Sequence, residues 1–226
     1  MIMHDKIYGR SYRYKRYCKK ILKEREKLMK KIITISREFG SGGRELARRL
    51  SEELTIAYYD REIITEIAKQ TELSESYVQQ IVETDSVISF PIHVARSFYV
   101  LPDPLEEQNR EIFAAQHRII KEMAEKSDCV IVGRCSDFIL KEYRPFRIFV
   151  YADMESKIQR CKERTSETEL SDSALKKEIL KIDKNRAWYY KFYTRQIWGD
   201  RLNYDLCINT GGKDIKKIAV SISKFL

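Results

Sequence analysis

Residues 32–54 constrain the fold of this chain most strongly, because an apolar strand leads through a run of glycines into an amphipathic helix. The strand occupies residues 32–36, and Gly40, Gly42 and Gly43 follow it. Glycines at this spacing let the backbone turn sharply and direct its N–H groups inward, where the positive end of the next helix also attracts anions. The helix carries an apolar stripe formed by Leu46, Leu50 and Leu54. The stretch therefore predicts a phosphate-binding loop whose helix packs against a sheet.

The loop departs from the common phosphate-binding consensus G-x-x-x-x-G-K-[ST], in which a lysine follows the last glycine. Here Arg44 follows Gly43 instead. Arginine can bind phosphate through two parallel hydrogen bonds, so Arg44 or Arg37 could reach the oxygens that the lysine would meet. We therefore predict a phosphate site in which an arginine supplies the missing positive charge.

The net charge of the chain is concentrated at its N-terminus. Residues 1–31 hold 12 Lys and Arg against 3 Asp and Glu, which accounts for the whole formal net charge of +9 over 226 residues. Tyrosines alternate with cations there, a composition suited to nucleic acid. A solvated helix or an oligomerisation arm is the favoured interpretation, because no recognised binding fold accompanies the segment. We expect residues 1–31 to be a basic arm and residues 32–226 to be a single domain.

Cysteine and histidine usage argues against several classes of site. The five cysteines contain no C-x-x-C pair, and the three histidines lack a spacing typical of a metal site or a catalytic triad. No apolar run approaches the roughly 18 residues that cross a membrane, and the N-terminus lacks the apolar core of a signal peptide. We therefore expect a cytoplasmic protein with no membrane partner.

Beyond the glycines, strand-like and helix-like segments alternate. Apolar runs near residues 56–59, 129–132, 146–151 and 204–208 predict four further strands, with helices between them. Asp153 is expected to cap a helix that turns Ile158 and Cys161 inward. This alternation is typical of right-handed βαβ crossovers and a parallel sheet.

Charged residues follow the predicted strands at the edge where parallel sheets bind ligands. Asp60 and Arg61 follow the second strand, and Arg134 follows the third. Later helices carry further charged residues that could close over the same crevice, namely Arg160, Arg164, Asp183, Lys184 and Arg186. The three-residue spacing of Asp183 and Arg186 is equally consistent with a surface ion pair. An arginine-rich site that faces a glycine loop suits transfer between two phosphorylated partners.

Three segments together resemble the cytidylate kinase-like family, whose members are relatives of bacterial cytidylate kinase among the P-loop nucleoside monophosphate kinases. They are residues 33–45 (ITISREFGSGGRE), 59–62 (YDRE) and 130–135 (VIVGRC). The resemblance covers about residues 32–226. It implies a P-loop kinase fold with three α/β/α layers and a five-stranded parallel sheet, a helical monophosphate-binding segment within residues 61–127, and a lid at residues 165–200.

The resemblance also implies roles for residues of the loop. Gly40 and Gly42 match loop glycines of the family, whereas Gly43 stands at the lysine position and Arg37 at the first glycine position. Glu45 occupies the position of the hydroxyl that binds Mg²⁺ in the family. We therefore expect Glu45 to help hold Mg²⁺, directly or through water.

Outside the loop the match is partial. Arg134 matches the phosphate-reading arginine of the family's D-G-R-D motif, but Val132 and Cys135 replace the two carboxylates that help hold the nucleoside. Residues 183–186, Asp-Lys-Asn-Arg, are similar to the D-R-N-R of the family's lid. The match retains phosphate-binding charges and leaves the acceptor base open.

The predicted function is transfer of the γ-phosphoryl group of ATP, with Mg²⁺, to a nucleoside monophosphate such as CMP or dCMP. The predicted site has three sets of residues: Arg37, Arg44, Asp183 and Arg186 for catalysis; Gly40, Ser41, Gly42, Gly43, Arg44 and Glu45 for the ATP phosphates; and Asp60, Arg61 and Arg134 for the acceptor. Two alternatives stay open, a kinase for a non-nucleotide small molecule and a catalytically silent nucleotide-binding protein. A homo-oligomer formed through the N-terminal arm or the aromatic residues of the lid is also left open.

Overall fold

The computed structural model describes residues 30–83, 104–164 and 170–226. Its elements are β1 (Ile32–Arg37), α1 (Gly43–Leu54), β2 (Ala57–Tyr59), α2 (Glu62–Thr71), α3 (Glu75–Glu83), α4 (Pro104–Lys126), β3 (Cys129–Val132), α5 (Ser136–Ile139), β4 (Phe146–Tyr151), α6 (Met154–Arg164), α7 (Asp172–Thr194), β5 (Leu206–Asn209) and α8 (Ile215–Phe225). Nearly all of the predicted N-terminal arm lies outside the described residues. Parts of the predicted monophosphate-binding segment and lid, residues 84–103 and 165–169, do so too.

The five strands form one parallel sheet in the order β2-β3-β1-β4-β5. Strand β1 is central, because Ile33 pairs with Val130 of β3 on one side and with Phe146 of β4 on the other. All six residues of β1 are buried, including the polar Thr34, Ser36 and Arg37, as expected for the central strand of a parallel sheet. The predicted parallel sheet is confirmed, and its central strand delivers the glycines to the middle of the carboxyl edge.

Helices cover both faces of this sheet. Helices α1 and α8 pack on one face through Leu46, Leu50 and Ala219, while α2, α3 and α4 pack on the other through residues such as Ile63 and Ile120. Burying each large aliphatic side chain contributes about 1.5–3 kcal/mol. The predicted three-layer α/β/α architecture is therefore confirmed. Among the described residues, no helix has the length and apolar character needed to cross a bilayer.

Aromatic residues fix α7 to the core. Tyr189 and Tyr190 are buried in the cluster on the α2–α4 face, and Phe113 of α4 stacks on Tyr193 with 3.9 Å between ring centroids. Phe192 is 42% exposed. The aromatic segment thus packs α7 onto the domain, as stacked and edge-on rings commonly do. Association with a second copy stays a prediction.

Candidate functional site

The glycine loop, residues 38–43, turns at the carboxyl end of β1 and leads directly into α1. Gly40 and Gly42 have φ angles of 72° and 79°, in the left-handed region that favours glycine. A Cβ atom on Gly42 would clash with Ile215 Cδ1 of α8, which would have to move to admit a side chain. The buried Ser41 hydroxyl donates to Glu38 O at 2.8 Å. The loop therefore has a tightly packed shape at the positive end of α1, where anions are favoured.

A cavity of about 440 Å³ lies against the loop, which is a volume suited to a small-molecule ligand. Arg61, the N-cap residue of α2, reaches it, and Leu175 and Ile179 of α7 add apolar surface. Six arginines line the cavity, namely Arg37, Arg44, Arg61, Arg160, Arg164 and Arg186. Glu38 and Glu178 are the carboxylates in the same wall. The excess of cations makes the cavity attractive to anions.

The carboxyl ends of β1 and β2 and the first turn of α1 bring Arg37, Asp60 and Arg44 together. Arg44 Nε lies 2.5 Å from Asp60 Oδ2, and Arg37 Nη2 lies 3.7 Å from Asp60 Oδ1. The Arg37 guanidinium rests against Gly133, because a Cβ atom on Gly133 would clash with Arg37 Nη1. Asp60 is buried, and its Oδ1 accepts no hydrogen bond from the described residues. Both arginines that we predicted to replace the lysine are thus directed towards Asp60.

Arg37 is buried among like charges. The pKa of Arg37 is lowered to about 9. Burial is the largest cause, the charges of Arg186, Arg134 and Arg44 act in the same direction, and the charge of Asp60 raises the pKa. The protein therefore holds a charged guanidinium where burial and neighbouring cations oppose its charge. A bound anion would offset this cost, so the cluster favours an anionic ligand.

The turn between β3 and α5 adds Arg134 to this cluster. Gly133, Arg134 and Cys135 have φ angles of 69°, 59° and 53°, which is a costly conformation for the two residues that are not glycine. Gln116 Nε2 donates to Arg134 O at 2.9 Å and supports the turn. A second cavity of about 40 Å³ borders Arg37, Arg134 and Arg186. The strained turn therefore places Arg134 beside the arginines of the central strand and of α7.

Helix α7 directs Asp183 and Arg186 to the loop rather than to solvent. Asp183 Oδ1 accepts a hydrogen bond from Phe39 N at 2.6 Å, and Arg186 Nη1 donates to Arg37 O at 3.2 Å. The Arg186 guanidinium also lies over the Phe39 ring, 5.7 Å from its centroid. Arg186 Nη1 lies 4.0 Å from Asp183 Oδ1. They are therefore more than a surface ion pair, because each binds the backbone at the end of β1 or in the loop.

Glu45, on the first turn of α1, faces arginines. Its Oε1 accepts from Arg49 Nε at 2.8 Å, and its Oε2 lies 3.6 Å from Arg164 Nη2. A carboxylate at this position would have to release these contacts before it could bind Mg²⁺. In the described part of the chain, no group of three or more His, Cys, Asp and Glu is arranged to hold a metal ion. Glu45 as a magnesium ligand therefore stays a prediction.

Two sets of contacts behind the loop were not predicted. Thr210, which follows β5, donates from Oγ1 to Ser41 O at 2.6 Å, and Arg160 Nη2 donates to Thr210 O at 2.5 Å. Lys157 of α6 is buried, and its Nζ lies 2.7 Å from Glu38 Oε2. The position of Thr210 at the carboxyl end of a strand could have identified it. A lysine within a highly charged helix gives no comparable signal.

A glycine loop between a buried parallel strand and a helix, beside an arginine-lined cavity, defines the class of P-loop kinase folds. The cytidylate kinase-like family matches residues 32–212, and the chain belongs to that family. No functionally curated protein matches the sequence significantly.

Solved structures agree with this class of fold. The chain is 28% identical to an uncharacterised protein from Eubacterium ventriosum, with 87% of this chain and 98% of the other covered and a TM-score of 0.63. It is also similar to a shikimate kinase from Acinetobacter baumannii in complex with shikimate, at 15% identity, coverage of 87% and 92%, and a TM-score of 0.50. A shikimate kinase from Bacteroides thetaiotaomicron shows 12% identity, coverage of 86% and 97%, and a TM-score of 0.52. At these low identities, the shikimate kinases indicate a shared fold alone.

Proposed function

We propose that this protein is an ATP-dependent kinase that transfers the γ-phosphoryl group to a small anionic acceptor, with CMP or dCMP as the predicted acceptor. The observation that carries the proposal is the cavity of about 440 Å³ in which six arginines accompany the glycine loop. Phosphoryl transfer depends mainly on positioning and on neutralising charge, and arginine supplies both. Membership of the cytidylate kinase-like family supports a nucleotide acceptor.

The donor end of the site would consist of the loop and the cations nearest to it. Backbone N–H groups from Gly40 to Arg44 would bind the ATP phosphates, and Arg44 or Arg37 would supply the charge of the missing lysine. Arg160 shares this role in our proposal, because its fork is already held by Thr210, which in turn binds the loop. Glu45 is the predicted ligand for the Mg²⁺ that accompanies ATP, and that ion would supply positive charge to the phosphates.

The acceptor end would lie where β2 and β3 finish. Arg37, Arg134 and Arg186 border one small cavity and could meet the anionic group of the acceptor or the charge of the transferring group. Val132 and Cys135, which replace carboxylates of the family motif, are both buried, and Cys135 borders this small cavity. Neither side chain offers carboxylate oxygens, so any hydrogen bonds from cytosine to carboxylates must be made elsewhere in the wall.

One observation favours a second candidate, a kinase whose acceptor is a hydroxyl group of a small metabolite. Asp60 is buried, and its Oδ1 accepts no hydrogen bond from the described residues although Arg37 lies nearby. A hydroxyl acceptor loses a proton on transfer, and a carboxylate can receive it, whereas an ionised phosphate acceptor needs no such base. Asp60 is not among the described residues that line the two cavities, so a hydroxyl donor would reach this acceptor position only once the half-exposed Arg44 moved aside.

An acceptor panel tests these functions. Purified protein with ATP and Mg²⁺ is incubated with CMP, dCMP, other nucleoside monophosphates and a set of hydroxyl metabolites, and ADP and phosphorylated products are separated by chromatography. CDP or dCDP formation that Arg186→Ala abolishes, and that Arg201→Ala on an exposed turn does not change, supports the nucleotide kinase. Turnover confined to a hydroxyl acceptor contradicts it and supports the second candidate. Nucleotide binding without any product over long incubation would leave only the silent binding protein.

A further inference from the structure

Lys157 is a buried ammonium group near the glycine loop that the proposed chemistry does not use. It belongs to α6, its side chain is 6% exposed, and its Nζ lies 2.7 Å from Glu38 Oε2 and 3.0 Å from Asp183 Oδ2. A buried charge is costly unless it is paired and hydrogen-bonded. Two carboxylates from distant parts of the chain satisfy this requirement here. The buried lysine therefore joins three separate elements of the fold.

The same two carboxylates also bind backbone around the loop. Asp183 Oδ1 accepts from Phe39 N at 2.6 Å, and Glu38 Oε2 accepts from Ala152 N at 3.3 Å. One ammonium group thus connects the first residues of the loop, the segment after β4 and helix α7. Because charge-assisted hydrogen bonds are stronger than neutral ones, this junction is well suited to fix the loop.

Lys157 acts from behind the loop and not from within the cavity. Glu38, Phe39 and Gly40 line the cavity, whereas Lys157 does not. A Cβ atom on Gly40 would lie 3.0 Å from Lys157 O and 3.1 Å from Lys157 Cβ, so the lysine backbone supports the rear of the loop. Its ammonium group already binds two carboxylates. It is therefore placed to shape the phosphate-binding loop and does not substitute for the consensus lysine.

We propose that Lys157 is a positioning residue, which holds the glycine loop in its anion-binding shape and couples it to α7 through Glu38 and Asp183. The inference rests on the proposed function only for its effect on ATP, since the loop geometry can be tested without a nucleotide. Removal of the ammonium group would leave Glu38 and Asp183 without their shared partner, and the Phe39 N–H bond would weaken with them.

The test compares Lys157→Met with Lys162→Met. Lys162 is a matched control because it also lies on α6 and also pairs with α7, through Asp172 Oδ1 at 2.5 Å, but on an exposed surface. Hydrogen–deuterium exchange of the free full-length proteins is measured at a temperature where both variants are folded. We expect peptides that cover residues 38–43 to exchange at least tenfold faster in Lys157→Met, with β4 unchanged, and no difference from wild type in Lys162→Met.

Affinity for inorganic tripolyphosphate and for ATP provides the second measurement. Both should bind at least tenfold more weakly to Lys157→Met and unchanged to Lys162→Met. If Lys157→Met does not fold, Glu38→Gln replaces it in the exchange measurement, because glutamine keeps an acceptor for the ammonium group, and a smaller increase in the exchange rate of residues 38–43 is expected. Unchanged loop exchange in whichever of these two variants folds overturns the proposal. If the wild-type protein binds neither ligand, the kinase function is contradicted. Faster loop exchange in Lys157→Met would support the positioning role even then.

Discussion

Replacement of Asp60 by asparagine tests whether the arginine cluster is a site built for an anion. The negative charge of Asp60 stabilises the charged form of Arg37, whereas the positive charges of Arg44, Arg134 and Arg186 destabilise that form. Asparagine keeps the shape of the side chain and removes its charge. The four arginines would then face one another without this carboxylate, and the folded state should lose stability when no anion is bound.

The expected loss follows from the burial of the two ion pairs. The side chains of Arg37 and Asp60 are 10% and 5% exposed and lie 3.7 Å apart, whereas Arg44 is 45% exposed and is screened by water. Removal of one partner of a buried pair costs about 3–5 kcal/mol, and a screened pair contributes at most about 1 kcal/mol. Because the asparagine oxygen can still accept a hydrogen bond, we expect a loss of about 3 kcal/mol, at the lower end of that range. For a domain of this size, this loss corresponds to a decrease in Tm of roughly 6–12 °C.

Urea unfolding followed by circular dichroism measures the loss, first in a chloride buffer and then with tripolyphosphate at the same ionic strength. An anion that binds only the folded state stabilises it according to its concentration relative to Kd. The cluster without Asp60 should bind the anion more tightly, and a tenfold gain in affinity adds about 1.4 kcal/mol to the recovery. The variant should therefore regain more stability than the wild type gains.

Asp205→Asn is the matched control for this measurement. Asp205 accepts from Arg147 Nη2 at 2.8 Å, but the two side chains are 36% and 34% exposed. We expect a loss of at most about 1 kcal/mol and no recovery specific to tripolyphosphate. Two results would refute the interpretation of the cluster as an anion site. One is an equal loss of stability in the two variants, and the other is an Asp60→Asn protein that is no more stable in tripolyphosphate than in chloride.

Three further predictions follow from single contacts. Arg160→Ala should weaken ATP binding about 10- to 100-fold in calorimetric titration, the value of a charge-assisted hydrogen bond, while Arg160→Lys should lose less because the charge remains. Burial raises the pKa of Asp137, whose Oδ2 accepts from Tyr190 Oη at 2.6 Å. The folded state therefore retains the proton of Asp137 to higher pH than the unfolded state does. The free energy of unfolding should then fall as the pH rises above 3.8, the usual pKa of an aspartate. Thermal melts at a series of pH values should show a shallower fall for Asp137→Asn. Gly43→Lys should be strongly destabilising in urea unfolding, whereas the same change combined with Arg37→Gly should recover part of the loss if the two side chains compete for one space.

The fold could be predicted from the sequence because its strands are built around short apolar runs. The predicted runs at residues 129–132 and 146–151 coincide with β3 and β4, and the last strand, expected near 204–208, is Leu206–Asn209. Strands buried on both faces by helices need no polar alternation, so their hydrophobic runs identify them directly. Asp153 caps α6 as predicted, since its Oδ1 accepts from Ser156 N at 2.8 Å.

Positions at strand ends could be predicted, but partners from distant helices could not. Asp60 and Arg134 were identified because they follow strands, and the structure brings both close to Arg37. In α6, helical periodicity predicted Ile158 and Cys161 as inward residues, yet both are half-buried while Lys157 is buried. Its burial depends on carboxylates far along the chain, and local periodicity carries no information about such pairs.

Arg37, the last residue of β1, explains why the loop lacks the consensus lysine. A Cβ atom on Gly43 would clash with Arg37 Cβ and would lie 3.3 Å from Val150 Cβ, so a side chain at position 43 and the arginine at position 37 exclude each other. Once Arg37 occupies this space, position 43 must be glycine and the consensus lysine has no place. The positive charge must then come from side chains outside the loop, and Arg160 on α6 and Arg186 on α7 border the cavity together with Arg37 and Arg44. Phosphate binding in this protein should therefore depend on how these helices are held against the loop, which is a dependence that a lysine within the loop would not impose.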